Sequence, residues 1–390
     1  LGIFFDPVIP RLDRGIQRNL DFPVKPENDS YWNRVRHKQG GIMDLSTTYL
    51  GLELPNPFIA GGSQLTGNVD GLRRLEAAGA AAVVLPTFFE EHIRREQLEI
   101  YSSVDYPAQS FGEALTYFVE YDKPIAGPEE YLEAVHRAKK CIGIPLIASL
   151  NCFTMRGWKE YAVSIEQAGA DALELDFFYV AADASESSEV IEARGVETVR
   201  EVKSLIKIPV TVKLTPFYTS FANFARKLEG AKVESLVLMH RFYTPDIDIE
   251  ELELIPRVEP TNPRDLLLRL RWLAIISAQV NCSLAVQGGV YAAADAIKAI
   301  MSGASAVQIV SAILVHGPDY MRQLKTDVAQ WMQQHEYESL RKMRGNMNLL
   351  HCPDPKALSR ANYIALLKAW QTGHQMRLPQ LGLGVKKSQS

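Results

Sequence analysis

"EQAGADALEL", Glu166 to Leu175, joins the end of an amphipathic helical pattern to the start of a strand, and the chain repeats it. "EAAGAAAVVL" (Glu76–Leu85) and "MSGASAVQIV" (Met301–Val310) are close copies of the same junction. In each, apolar residues at helical spacing stop at Ala-Gly or Ser-Gly, which suits a left-handed helix stop, and a short apolar run follows. Working outward gives eight such runs: "PNPFIAGG", "AAVVLPT", "PLIASLN", "ALELDF", "PVTVKLT", "SLVLMHR", "SLAVQGG" and "AVQIVSA". Between them lie helical patterns such as "NVDGLRRLEAAGA", "GWKEYAVSIEQAGA", "FANFARKLEGAK" and "YAAADAIKAIMSGA". Eight strands alternating with helices predict an α/β fold, a parallel (β/α)8 barrel. A doubly wound open sheet is the alternative, but no GxGxxG follows its first strand.

Composition is that of an ordinary globular chain: 390 residues, 47% hydrophobic and 23% charged. A net charge of -4 points to neither nucleic acid nor an anionic membrane as partner. No apolar run reaches the ~18 residues of a membrane helix. Cys141, Cys152, Cys282 and Cys352 form no CxxC pair and read as reduced cytoplasmic thiols. The eight histidines form no HExxH spacing, so no metal site is expected.

Residues 1–42 are rich in Pro, Arg, Asp and Asn, without sustained period, and lack the marks of a signal or transit peptide. They read as an irregular extension without function, a docking arm being the alternative. The barrel is assigned to 43–330 and a helical extension to 331–390.

Within "ALELDFFYV" (Ala172–Val180), Glu174 and Asp176 fall on one face of a strand, because side chains alternate. In a barrel that face points inward and chemistry gathers at strand C-terminal ends, which puts Asp176 near the mouth and Glu174 one layer deeper. A buried carboxylate needs a partner, and Lys213 of "TVKLTPF" lies at similar height on the next strand. Lys213 then either belongs to a ligand-facing cluster or forms a structural ion pair. Gly288 and Gly289 in "AVQGGV", with Ser311 at the next strand end, occupy the usual phosphate site of this architecture. Gly61, Gly62 and Ser63 offer a flat approach for a planar ligand, or merely a loose loop.

From about Met43 to Met321 the chain resembles the dihydroorotate dehydrogenase family of FMN-dependent barrels. The resemblance rests on "LPNPFIAGGS", "LELDFFYV", "TVKLTPF" and "AVQGGVYAAADAIKAIMSGASAVQIVSAILVHGP". "HEYESLRKMRGNMN" and "HCPDPKALSRANY" are similar to a bacterial dihydroorotate dehydrogenase-like branch. The resemblance implies FMN, oxidoreductase chemistry at a CH–CH bond and a place in pyrimidine metabolism. It implies a small-molecule substrate and an electron partner of unknown kind, and leaves self-association into a homo-oligomer open. Ala60, Gly61 and Ser63 would line the flavin face, and Asn151 would bond the ring edge. Lys213 would sit where a cation stabilises the reduced, anionic ring, and Gly288, Gly289 and Ser311 would hold the phosphate.

Departures fall in the substrate half. Where the family reads "ELNLSCPN", this chain reads "ELDFFYVA". Asp176 replaces the first Asn, Tyr179 the Cys base and Ala181 the second Asn. Pro86 and Thr87 follow the second strand in place of a lysine, His240 replaces an Asn, and "SFGEALTYF" has no counterpart of the Asn-rich substrate loop. Tyr179 is the expected proton donor, since a phenol with a pKa of ~10 donates more readily than it accepts at neutral pH; the alternative is an apolar lid. A flavin-binding barrel without turnover, or a lyase or isomerase with another phosphorylated ligand, are the rival functions. Deleting residues 1–42 is expected to leave melting temperature and bound-flavin content unchanged, checked by calorimetry and absorbance on the shortened protein.

Overall fold

The computed structural model describes residues 43–90, 127–240, 245–255, 259–360 and 364. The expectations for residues 1–42 and for "SFGEALTYF" (110–118) therefore lie outside the described residues. The strands are β1 (Thr47–Tyr49), β2 (Leu52–Leu54), β3 (Phe58–Ala60), β4 (Ala82–Phe89), β5 (Leu146–Asn151) and β6 (Ala172–Phe177). They continue as β7 (Val210–Leu214), β8 (Ser235–Leu238), β9 (Asp246–Asp248), β10 (Glu253–Ile255), β11 (Ser283–Gln287) and β12 (Ala306–Ile309). β3 to β8, β11 and β12 close into a barrel, every neighbouring pair parallel. This is the (β/α)8 barrel that the repeated junction predicts.

The helices are α1 (Val69–Ala77), α2 (Pro128–Cys141), α3 (Met155–Gln167), α4 (Ser188–Leu205), α5 (Phe221–Gly230) and α6 (Leu266–Ile276). After them come α7 (Ala293–Met301), α8 (Ser311–His316), α9 (Tyr320–Gln334), α10 (Leu340–Met343) and α11 (Pro355–Ser359). The three junction glycines, Gly79, Gly169 and Gly303, have φ of +91°, +99° and +120° and end α1, α3 and α7. α5 stops differently: Gly230 stays helical and Lys232 takes the left-handed turn at φ +72°.

Strand alternation divides the core in two. Outward residues such as Val83, Leu173, Val212 and Val286 pack beneath the helices. Inward ones, among them Ile59, Val84, Ile147 and Val237 with Ala82, Ala172, Ala285 and Ala306, meet inside the barrel. The β1–β2 hairpin plugs the strand N-terminal end with Tyr49, Leu50 and Leu54. Thr47 Oγ1 donates to the Ser305 carbonyl and Leu50 N–H to Ser283 Oγ, which fastens the plug. The segment after α9 packs against the same end. Gly345 and Met347 donate backbone N–H groups to the carbonyls of Ile300 and Met301, and Leu349 donates to that of Ala274. Helix-end carbonyls that have no partner within their own helix are satisfied in this way.

Two features of the opposite end position the site. β4 carries a register shift between Val84 and Thr87, with Pro86 inside it. A bulge tolerates a residue without N–H and re-aims its neighbour, which turns the Thr87 hydroxyl toward the barrel axis. Beyond β8 the chain forms an antiparallel β9–β10 hairpin in which Ile247 pairs with Leu254. Ile247, Ile249, Leu252 and Leu254 are all exposed, at 63–85%.

A side chain at position 303 would place Cβ 2.3 Å from Ser277, on a backbone that L-residues rarely adopt. Gly303→Ala is expected to lower unfolding free energy by about 1–3 kcal/mol in urea titrations.

Candidate active site

Glu174 and Asp176 point inward from β6, both fully buried, and Lys213 lies across from Asp176 in the β6–β7 register. Lys213 Nζ is 2.8 Å from Glu174 Oε1 and 2.9 Å from Asp176 Oδ2. One ammonium therefore serves both acids. Each carboxylate has further donors. Ser149 Oγ donates to Glu174 Oε1 at 3.2 Å and Gln308 Nε2 to Oε2 at 2.9 Å. Thr87 Oγ1 donates to Asp176 Oδ2 at 3.3 Å, and His240 Nε2 lies 3.3 Å from the same oxygen.

Burial pushes the Asp176 carboxyl up, but His240 and Lys213 outweigh it and hold its pKa down to about 2. Burial opposes the charge on Lys213 as well; Asp176 and then Glu174 overcome it and keep the ammonium above its usual range. Deeper in the barrel, burial and the Glu174 charge raise the Tyr49 phenol to about 12.

The two acids differ in what remains to them. Both Glu174 oxygens are bonded to protein groups, whereas buried Asp176 Oδ1 has no hydrogen-bond partner among the described residues. Gln287 Oε1 at the end of β11 and Ser63 Oγ after β3 are likewise buried without one. These three atoms lie at or just beyond strand C-terminal ends, where barrels bind ligands.

The other residues expected at the site divide into those drawn into this centre and those occupied elsewhere. Asn151 Nδ2 donates to the Asp176 carbonyl at 2.7 Å, so its amide anchors β6. Ala60 is fully buried at the end of β3. A Cβ on Gly61 would come within 2.6 Å of Val310 Cγ2, and one on Gly62 within 2.8 Å of the Leu85 carbonyl, so close chain packing demands both glycines. His240 joins Asp176 and packs its ring on Phe178, centroids 4.8 Å apart. Tyr179 is 40% exposed; its hydroxyl donates to Glu186 Oε2 at 2.5 Å and Arg194 stacks over its ring. Gly288 and Gly289 have φ of +88° and +80°. Gly289 N–H donates to Thr261 Oγ1 at 3.1 Å, and Ser311 Oγ lies 2.9 Å from that hydroxyl and accepts from Thr261 N–H at 3.0 Å.

Sequence reasoning missed Glu90 and Thr261. Glu90 Oε2 accepts the N–H groups of Phe153 and Thr154, both at 2.9 Å, and Oε1 the Thr154 hydroxyl, which ties the end of β4 to the start of α3. An acid one residue past a strand carries no pattern that foretells such a clamp.

Fold and mouth together define a (β/α)8 barrel with a buried, ionised centre at its strand C-terminal ends. No family model matches the chain. It is 26% identical over 327 residues to the dihydroorotate dehydrogenase B (NAD(+)) catalytic subunit of Thermoplasma volcanium, covering 78% of this chain and 98% of that one. Its counterpart from Methanothermobacter thermautotrophicus is 24% identical over 316 residues, covering 77% and 97%. The chloroplastic dihydropyrimidine dehydrogenase (NADP(+)) of Arabidopsis thaliana is 25% identical over 336 residues, covering 78% and 76%. The chain is thus a relative of the dihydroorotate dehydrogenase family, a group of oxidoreductases.

Lys213→Ala leaves two buried acids without their ammonium, and at pH 7 it is expected to lower unfolding free energy by about 3–5 kcal/mol. The deficit should shrink at pH 5, where an unpaired buried carboxyl takes up a proton; urea titrations at both values check it. In the parent, Asp176 titrates lower folded, about 2, than its ordinary 3.8. Its stabilisation is therefore present above pH ~3.8 and lost as pH falls toward 2.

Proposed function

We propose that the chain is an FMN-dependent oxidoreductase that moves two electrons to or from a C–C bond next to a carbonyl. The observation that carries this reading is the buried Asp176 Oδ1, which among the described residues has no hydrogen-bond partner at the mouth beside the Lys213 ammonium. A ligand bound there must present a donor to Asp176 and tolerate a cation nearby. A flavin ring has an N–H edge and polar oxygens that suit both. Ser63 Oγ and Gln287 Oε1 add polar groups for the same ring. The phosphate end has the right chemistry in Gly289 N–H and the Ser311 hydroxyl, with the buried Arg269 guanidinium close to Gly288. The residues therefore fit the cofactor. When bound, FMN supplies the two-electron chemistry.

The protein's own part is to hold the ring and move a proton. Lys213 would lie beside the ring, Asn151 would steady β6 behind it, and Ala60 would line its face. We read His240 as the proton carrier, because it contacts Asp176 inside the centre and is shielded by Phe178. Tyr179 is the second candidate, its hydroxyl being committed to Glu186. The substrate differs from dihydroorotate in this reading: the family's Cys and second Asn are replaced by Tyr179 and Ala181, and a cyclic enone or imide suits the retained centre. Two of the named relatives are catalytic subunits, which supports a separate electron partner here. Four free cysteines support a reducing, cytoplasmic setting.

Heat-released cofactor identified by mass spectrometry should be FMN, near one per chain; a colourless protein that FMN cannot reconstitute would falsify the proposal. His240→Asn should keep flavin bound and slow substrate-dependent flavin reoxidation by ~10²–10⁴, the range for losing a general acid. Tyr179→Phe should stay near the parent rate. The opposite pattern in stopped-flow traces would return the proton to Tyr179.

A further inference from the structure

Resting on the FMN reading above, we infer that Thr261 is the chain's own stand-in for the cofactor phosphate, and that its hydroxyl competes with phosphorylated ligands for the same donors. Thr261 Oγ1 accepts the Gly289 N–H at 3.1 Å and lies 2.9 Å from Ser311 Oγ, while Thr261 N–H donates to Ser311 Oγ at 3.0 Å. The residue is buried, so these bonds form out of water. Every group in the cluster is neutral. Yet a cation flanks it: a Cβ on Gly288 would lie 3.2 Å from both Arg269 Nη2 and Thr261 Cγ2. Arg269 is itself buried, with its guanidinium bonded to the Gln287 and Asp265 carbonyls. A backbone N–H, a hydroxyl and a nearby guanidinium form a cradle for an anion, and here a neutral hydroxyl oxygen holds the N–H that a phosphate oxygen would take.

The two glycines strengthen the point. A Cβ on Gly289 would come within 2.7 Å of Leu266 N and 3.0 Å of the Asn262 carbonyl. The stretch just before α6 is thus pressed against the glycine loop, and Thr261 is its contact with Gly289 and Ser311. Neighbouring turn bonds support it: Asn262 N–H donates to Asp265 Oδ2 at 2.8 Å and Arg264 N–H to Asn262 Oδ1 at 2.9 Å. An incoming phosphate must release the Thr261 hydroxyl from the Gly289 N–H before it can accept that bond, and must part the Thr261–Ser311 hydroxyl pair to reach Ser311. Riboflavin, which has no phosphate, has no such competition to overcome. Thr261 is therefore a selectivity residue for the phosphate end of the ligand.

Flavin-free protein, titrated separately with FMN, riboflavin and inorganic phosphate, tests the inference in the parent, Thr261→Ala and Thr261→Ser. Flavin fluorescence quenching gives affinities and association rates, calorimetry gives phosphate affinity, and melting curves confirm folding. Thr261→Ala should bind FMN and phosphate roughly tenfold more tightly, the equivalent of ~1.4 kcal/mol, with faster FMN association. Riboflavin binding should not change, and Thr261→Ser, which keeps the hydroxyl, should resemble the parent. If Thr261→Ala weakens FMN relative to riboflavin, Thr261 is a phosphate ligand and the inference is overturned. An unchanged ratio of FMN to riboflavin affinity overturns it too. Should no protein bind either flavin while Thr261→Ala still gains phosphate affinity, the competition stands and the FMN reading fails. Loss of both effects removes both.

Discussion

One ammonium shared between two buried carboxylates is the constraint around which this barrel is arranged. Glu174 and Asp176 could not both remain ionised in a dry interior without Lys213, and Lys213 could not remain charged without them. The remaining hydrogen bonds spread that dependence over the strands. Ser149 on β5, Gln308 on β12 and Thr87 on β4 each donate to one of the two acids, and His240 reaches in from beyond β8. Strands far apart in sequence are therefore held to one another by side chains inside the barrel as well as by backbone ladders. Because side-chain direction alternates along a strand, a one-residue slip of β6 or β7 would turn these charges into the apolar layer beneath the helices.

The centre is asymmetric in what its two acids have left to bond. Glu174 is bonded to protein donors at both oxygens and sits a layer deeper, above a buried polar group of Tyr49 OH, Thr211 Oγ1, Ser235 Oγ and Gln308 Oε1. Asp176 keeps an oxygen at the mouth. Exchanging the family's Asn for this Asp replaces a group that can donate or accept with one that only accepts when ionised.

Much of this was legible in the chain. Short apolar runs alternating with helical patterns, and the repeated Ala-Gly or Ser-Gly stop, marked the eight barrel strands, since both signals are local. The Glu174–Asp176–Lys213 group was legible as well, because two acids at i and i+2 on an apolar strand require an inward cation, and the neighbouring strand held one. What escaped were contacts set by tertiary approach. Glu90 holds the turn that precedes α3 across 63 residues of sequence, and the Thr261 contact to Ser311 spans 50. The glycines illustrate the difference. Gly288 and Gly289 read as a phosphate approach, yet the structure demands them first because Arg269, Thr261 and the start of α6 press against them. Tyr179 read as a proton donor from its place after β6, while the bond of its hydroxyl to Glu186 was not legible.

The β9–β10 hairpin bears on how copies of the chain behave toward one another. Two short strands that form a two-stranded sheet and expose Ile247, Ile249, Leu252 and Leu254 carry the greasy surface that favours edge-to-edge aggregation. Asp246, Asp248, Glu250, Glu251 and Glu253 are interleaved with them, and residues 245–255 contain no lysine or arginine. Like-charge repulsion then opposes the stacking of one hairpin on another, as gatekeeper residues do beside unavoidable hydrophobic strands. That protection is electrostatic, so it has a range: at physiological ionic strength it fades over about 8 Å, and it weakens as salt rises. Colloidal behaviour of the protein is thereby linked to ionic strength through a surface loop rather than through its modest overall charge.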